Sequence, residues 1–127
     1  MSENEIAKVV VETAFQIHTK LGPGLLESVY QAILLYELRK RGLNVHEEVV
    51  VPVNWEGIHI EVGFRADLIV EQKVVIELKS VESVAPVHKK QLLTYLRLTN
   101  CRLGLLINFG ATLLKDGITR VVNGLPE

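Results

Sequence analysis

The segment Phe64-Arg65-Ala66-Asp67-Leu68-Ile69-Val70, followed by Glu71-Gln72-Lys73 and then Val74-Val75-Ile76-Glu77-Leu78-Lys79, leaves the chain little choice of fold. Two apolar runs separated by three polar residues read as antiparallel strands joined by a short loop. If Val70 faces Val74, Leu68 falls opposite Ile76 and Ala66 opposite Leu78, which makes one apolar face. The other face then carries Asp67 opposite Glu77 and Arg65 opposite Lys79. A slip of one residue would bury the charges, so the register is strongly specified. Directly opposed residues have Cβ atoms roughly 4.5–5.5 Å apart, and like charges there are destabilising. Two carboxylates are thus pressed together, with two cations one step along the same face. A divalent cation relieves that repulsion, and Mg²⁺ typically uses one or two carboxylates plus substrate phosphate. Lys79 on the same face is placed to hold an attacking water or to stabilise charge on a phosphate. The bland alternative is a solvated strand face with alternating charges.

The flanking segments supply a context. Ile6 to Leu21 has apolar residues at helical spacing and is broken by Gly22-Pro23-Gly24. A second helix is predicted from near Gly24 to about Arg41, where Arg39-Lys40-Arg41 before Gly42 forms a C-terminal signal. Val45–Val53 reads as a strand, Asn54–Gly57 as a turn, and Ile58–Val70 as a second strand bent at Gly63. After Val74–Ser80, a helix is predicted over Pro86–Leu98, with Pro86 suited to the first turn. Leu103–Phe109 is almost wholly apolar and should be buried on both faces; Ile118–Val122 is a last short strand. The strand ending at Ser80, the helix and the next strand form a βαβ unit, so those strands should be parallel with a right-handed crossover. The expected fold is α/β: a mixed sheet with an antiparallel meander and one βαβ crossover, flanked by helices.

Composition bounds the function. The chain has 127 residues, 48% hydrophobic and 23% charged, enough for one packed domain covering 1–127. Fourteen Lys+Arg against fifteen Asp+Glu exclude a protein that coats nucleic acid by charge alone. One cysteine, Cys101, excludes an internal disulfide and reads as an inert core thiol, and the four histidines are scattered without zinc-site spacing. The polar, acidic start is unlike a signal peptide, and no apolar run approaches the ~18 residues needed to span a membrane. A cytoplasmic protein without membrane association is the expectation.

A third carboxylate stands in Gly24-Leu25-Leu26-Glu27-Ser28-Val29-Tyr30, where Glu27, Tyr30 and Gln31 share one helical face. Alone, Glu27 reads as a favourable charge near a helix N-terminus and Tyr30 as core with its hydroxyl at the rim. Gly24, Glu27 and Tyr30 together reproduce a G-x-x-E-x-x-Y signature. With Asp67, Glu77-Leu78-Lys79, and a helix bearing Gln91 and Tyr95, the chain resembles the GxxExxY proteins of the PD-(D/E)XK nuclease superfamily over nearly its whole length. That resemblance implies a restriction-endonuclease-like core of helix, three-stranded meander, helix and strand. It implies Asp67 and Glu77 as metal ligands with the carbonyl of Leu78, Lys79 as the catalytic lysine, and Glu27 reaching the metal through water. It also implies a site role for Gln91. The proline of the nominal PD pair is Ala66 here, a position often replaced.

Arg65, Lys89, Lys90 and Tyr95 are candidates for substrate contact, the two lysines lying just before Gln91 on the same helix. A solvated helix face explains the same lysines. Arg39-Lys40-Arg41 reads as a helix terminus and His88 as a surface histidine. Trp55 in its turn is a candidate for stacking on bases, for covering a core edge or for a dimer contact. The expected function is phosphodiester hydrolysis in DNA or RNA with Mg²⁺ or Mn²⁺ as cofactor. The alternative is a catalytically inactive nuclease-fold module that binds nucleic acid or another protein. In that case a homodimer or partner subunit would supply what so short a chain lacks.

Overall fold

The computed structural model describes residues 1–126; residue 127, the end of the expected domain, lies outside the described residues. Helix α1 spans Glu3–Leu21 and begins with a capping box, in which Ser2 and Glu5 satisfy each other's backbone amides. Helix α2 spans Glu27–Lys40, three residues later than the glycine break suggests, because Leu25 and Leu26 stay extended or bent ahead of it. Strands β1 (Val45–Trp55), β2 (Ile58–Val70) and β3 (Val74–Lys79) form the antiparallel meander. Helix α3 (Pro86–Thr99) then crosses over to β4 (Leu103–Asn108), which runs parallel to β3. A short 3-10 turn leads to β5 (Ile118–Val122), antiparallel to β4. The sheet order is β1-β2-β3-β4-β5, so the chain is a five-stranded mixed sheet flanked by three helices.

Helices α1 and α2 cover one face, where Ile6, Val10, Ala14, Leu34 and Leu38 pack on Leu68, Ile76, Leu78, Leu105 and Ile107. Helix α3 covers the other through Leu92 and Leu96, which meet Phe64, Ala66, Val75, Leu106 and Cys101. β4 is buried along its whole length, as its unbroken apolar run requires.

The β1–β2 ribbon changes character at one rung. Val45 lies in the α1/α2 core, whereas Val49 and Val51, of the same parity, join the α3 core. On β2, Leu68 and Val70 lie in the first core and Ala66 and Phe64 in the second. Between them stand Glu48 and Asp67, the rung missing from a ladder that otherwise keeps register from Val45↔Val70 to Val51↔Phe64. Glu48 has a left-handed backbone, φ 49°. Both strands therefore turn over together at this rung. The expected single apolar face of Ala66 with Leu68, Ile76 and Leu78 is corrected accordingly: Ala66 packs under α3. Gly63 does not break β2; the irregularity falls across from it, as a register shift between Val51 and Val53.

Candidate active site

The ladder between β2 and β3 follows the predicted register for three rungs: Val70↔Val74, Ile69↔Val75 and Leu68↔Ile76. It then stops. The pairs expected next, Asp67 with Glu77, Ala66 with Leu78 and Arg65 with Lys79, are not rungs of the ladder. Instead the two acids insert their side chains between the strands. The Leu78 amide donates to Asp67 Oδ2 at 2.8 Å, and the Asp67 amide donates to Glu77 Oε1 at 3.3 Å. Each carboxylate thus satisfies an amide that a regular ladder would have paired with a carbonyl. Leu78 enters the site through its N–H, and its side chain is core.

The two carboxyl groups are within hydrogen-bonding reach of each other, and both residues are half-buried. Burial, then repulsion from Asp67, pushes Glu77 up to about 8. Burial also raises Asp67 above the usual aspartate range; the Leu78 amide opposes this and the Glu48 charge adds to it. Burial thus favours the protonated form of both acids.

The end of β3 brings further groups to this point. Glu77, Lys79, His88, Gln91, Tyr95 and Leu106 line a cavity of about 40 Å³. That volume admits a water or a small ion. Gln91 Oε1 lies 3.4 Å from His88 Nδ1, one turn back on α3. Tyr95 stacks on Phe64, with ring centroids 3.8 Å apart and planes 3° from parallel. Burial, then the Glu77 and Asp67 charges, raises the Tyr95 phenol. Leu92 and Leu96 are the buried residues of this helix and fix its rotation, leaving Gln91 exposed at the rim.

Glu27 approaches from the other side. It is the first residue of α2, and burial followed by repulsion from Asp67 raises its carboxyl. The G-x-x-E-x-x-Y spacing has a physical reading here. Gly24 sits at φ 109°, which a side chain would strain. Tyr30, fully buried and stacked on Phe109 at 4.5 Å, donates its hydroxyl to the Gly22 carbonyl at 2.5 Å. The same hydroxyl accepts from the Leu25 amide at 3.2 Å. Ser80, just past β3, donates to the Leu25 carbonyl at 2.6 Å. Tyr30 therefore pins the turn against the end of β3, and Glu27 follows it into place. The loop after β3 is held as well: buried Asn108 accepts from the Val81 amide and donates to its carbonyl, at 3.0 and 2.9 Å. A Cβ on Gly110 would fall 2.2 Å from that same Val81 oxygen, so only glycine lets the two loops touch.

Not every candidate is drawn in. Arg65 is exposed on β2 with Val50 as its partner. Lys89 borders a separate depression with Glu82, Asn108 and Asp116, and Lys90 is exposed. Two further groups border the site. Gln31, buried on α2, donates from Nε2 to Glu48 Oε1 at 2.7 Å and reaches the Asp67 carbonyl at 3.5 Å. Glu48 acts electrostatically on both Asp67 and Glu27. The available signal was the adjacent pair Glu47-Glu48: strict alternation from Val45 would aim Glu47 at the core, so the strand had to deform there.

Among the described residues, no three His, Cys, Asp or Glu side chains close around a metal position. The direct donor set is Asp67 with Glu77. Two hard oxygen donors side by side fit a Mg²⁺-like cation, and Asp67 and Glu77 are the residues that would hold it.

The meander of the mixed sheet thus ends with Asp67 against Glu77, and Lys79 stands two residues beyond Glu77 on β3. The sequence profile of the PD-(D/E)XK nuclease superfamily matches residues 4–121, and the chain belongs to that superfamily. Its fold is similar to a crystal structure of the protein SSO0001, with 26% identity and a TM-score of 0.55 over 78% of this chain and 50% of that one. The chain thus spans half the length of that protein. No curated protein is similar enough to match. No helix among the described residues is long and apolar enough to cross a membrane.

Proposed function

We propose that this chain is a Mg²⁺- or Mn²⁺-dependent phosphodiesterase acting on nucleic acid. The observation that carries the reading is the contact of Asp67 with Glu77 where the β2–β3 ladder opens, next to Lys79. Asp67 and Glu77 would hold the cation, which supplies charge neutralisation at the scissile phosphate and a more acidic water. Glu27 borders the pair from α2 and Leu78 contributes its main chain. Lys79 presents its ammonium where charge develops on a phosphate oxygen, and no histidine base is needed. Gln91, beside His88, offers an amide to a phosphate or water in the same small cavity. Tyr95, stacked on Phe64, forms the cavity wall. Substrate is steered locally, because a net charge of -1 gives little long-range attraction to a polyanion.

The test is a screen of labelled single- and double-stranded DNA and RNA with Mg²⁺ or Mn²⁺. Cleavage should depend on the metal and fall by about 10²-fold or more in Lys79→Ala, the scale seen when one charge-stabilising donor is removed. Metal binding without cleavage of any substrate would favour the binding-module reading. Cleavage untouched by Lys79→Ala would move the chemistry elsewhere.

A further inference from the structure

Helix α3 covers strands β1 and β2 as far as Val51 and Phe64, and their ribbon then runs on alone. Among the described residues, none from Pro52 to Gly63 belongs to either core. A two-residue turn at Glu56-Gly57, with φ 46° and 86°, closes the ribbon as a regular hairpin. Val53 pairs with Ile60 and Trp55 with Ile58, so these four apolar side chains share one face. The rung between them, Asn54 with His59, points to the other face, where His59 Nδ1 donates to Asn54 Oδ1 at 2.6 Å. The ribbon is therefore apolar on one side and polar on the other, the pattern of a sheet packed on a core. No core of this chain meets it: Trp55 is 65% exposed, Ile58 60% and Ile60 48%. A two-stranded ribbon is marginal in water until its apolar face packs on something.

We propose that the apolar face of this hairpin docks on the same face of a second copy of the chain. Area is the first argument. Trp55, Ile58 and Ile60 alone leave on the order of 400 Å² exposed, within the range of functional patches on monomers. Two such faces in contact bury about 800 Å² before any rim is counted, close to the ~1,000 Å² that a specific association needs. The contact is self-complementary, because a two-fold axis lays the flat Trp55 ring of each copy toward the aliphatic Val53–Ile60 rung of the other. Charge is the second argument. From Val45 to Phe64 the chain carries four glutamates and no lysine or arginine. Such a hairpin repels a polyanion or an anionic membrane, and suits an apolar protein face. The inference stands apart from the metal reading, since none of these residues lines the cavity beside Glu77.

The experiment is sedimentation equilibrium of the full chain from about 1 μM to 1 mM, the range for a small interface, with fluorescence read in parallel. Trp55 is the sole tryptophan, so its emission reports this face directly and without mutation. The mass should rise from 14.2 kDa to twice that value, and the emission should shift to the blue over the same concentrations. The double variant Trp55→Thr, Ile58→Thr keeps strand-forming residues at two exposed positions. It should melt as the wild-type monomer does and dimerise at least about tenfold more weakly, as loss of a central aromatic anchor does. Asn54→Thr, on the opposite face, should dimerise as wild type. Added salt should leave the dimer intact or tighten it, because the contact is apolar and the neighbouring charges are all acidic. A wild-type mass of 14.2 kDa at about 1 mM would overturn the proposal. So would a dimer that survives the double variant or dissociates in salt. A blue shift induced by a single-stranded DNA oligonucleotide or by phosphatidylcholine vesicles, with the chain itself monomeric, would give the face to another occupant and overturn it as well.

Discussion

Strand β3 has two neighbours and treats them differently. Toward β4 it pairs over all six of its residues, from Val74↔Leu103 to Lys79↔Asn108, and β4 is buried throughout. Toward β2 it pairs for three rungs, and then carboxylates replace carbonyls as the acceptors. One edge of the strand holds the sheet together, while the other gives up ladder bonds to bring two acids into contact. The two edges should therefore respond in opposite ways to substitution.

The largest effect belongs to the β4 edge. Ile107→Ala empties a fully buried position opposite Leu78 and should cost about 2–5 kcal/mol in denaturant unfolding. A loss under 1 kcal/mol would mean that this edge can relax and that the contrast is weaker than drawn.

On the β2 edge, chemistry and structure separate within one residue. Asp67→Asn keeps an oxygen for the Leu78 amide and removes a charge beside Glu77, so metal-free stability should hold or rise. Asp67→Ala leaves that amide without its acceptor and should be less stable than the asparagine variant by about 1–3 kcal/mol. Equal stabilities would show that Asp67 does not cap the open ladder.

A smaller, pH-dependent effect sharpens the comparison. Glu77 is raised from its ordinary 4.5 to about 8, so between those values the folded chain holds more protons than the unfolded one. Stability without metal should therefore be greatest in acid and fall as pH rises toward 8, levelling off above. Asp67 and Glu27 are shifted in the same direction and reinforce the slope. Glu77→Gln should flatten it, and so should saturating Mn²⁺ in the wild type. Thermal melts from pH 5 to 9 measure this; an unchanged slope in Glu77→Gln would place the titrating group elsewhere.

Period-two and helical spacing were enough to read the five strands, three helices and parallel crossover, because each buried face follows from where apolar residues recur. The β2–β3 register was readable for the same reason, up to Leu68. Beyond it, alternation no longer governs the backbone. At Asp67 and Glu48 a side chain competes for main-chain amides or the strand turns left-handed, and neither event leaves a periodic trace. Hence Asp67, Glu77, Lys79 and Glu27 could be named from residue type and signature, whereas the Gln31–Glu48 bond could not. That bond joins residues on different elements through a buried amide, and spacing within one element carries no information about it. Ala66 was assigned to the wrong core by the same break in alternation.

The most direct test of the open ladder as a metal site is a Mn²⁺ soak of crystals of the full chain, read by anomalous scattering. One peak between the carboxylates of Asp67 and Glu77, absent from Glu77→Gln crystals, is the expected result. A peak elsewhere on the chain, or no peak at all, would contradict it.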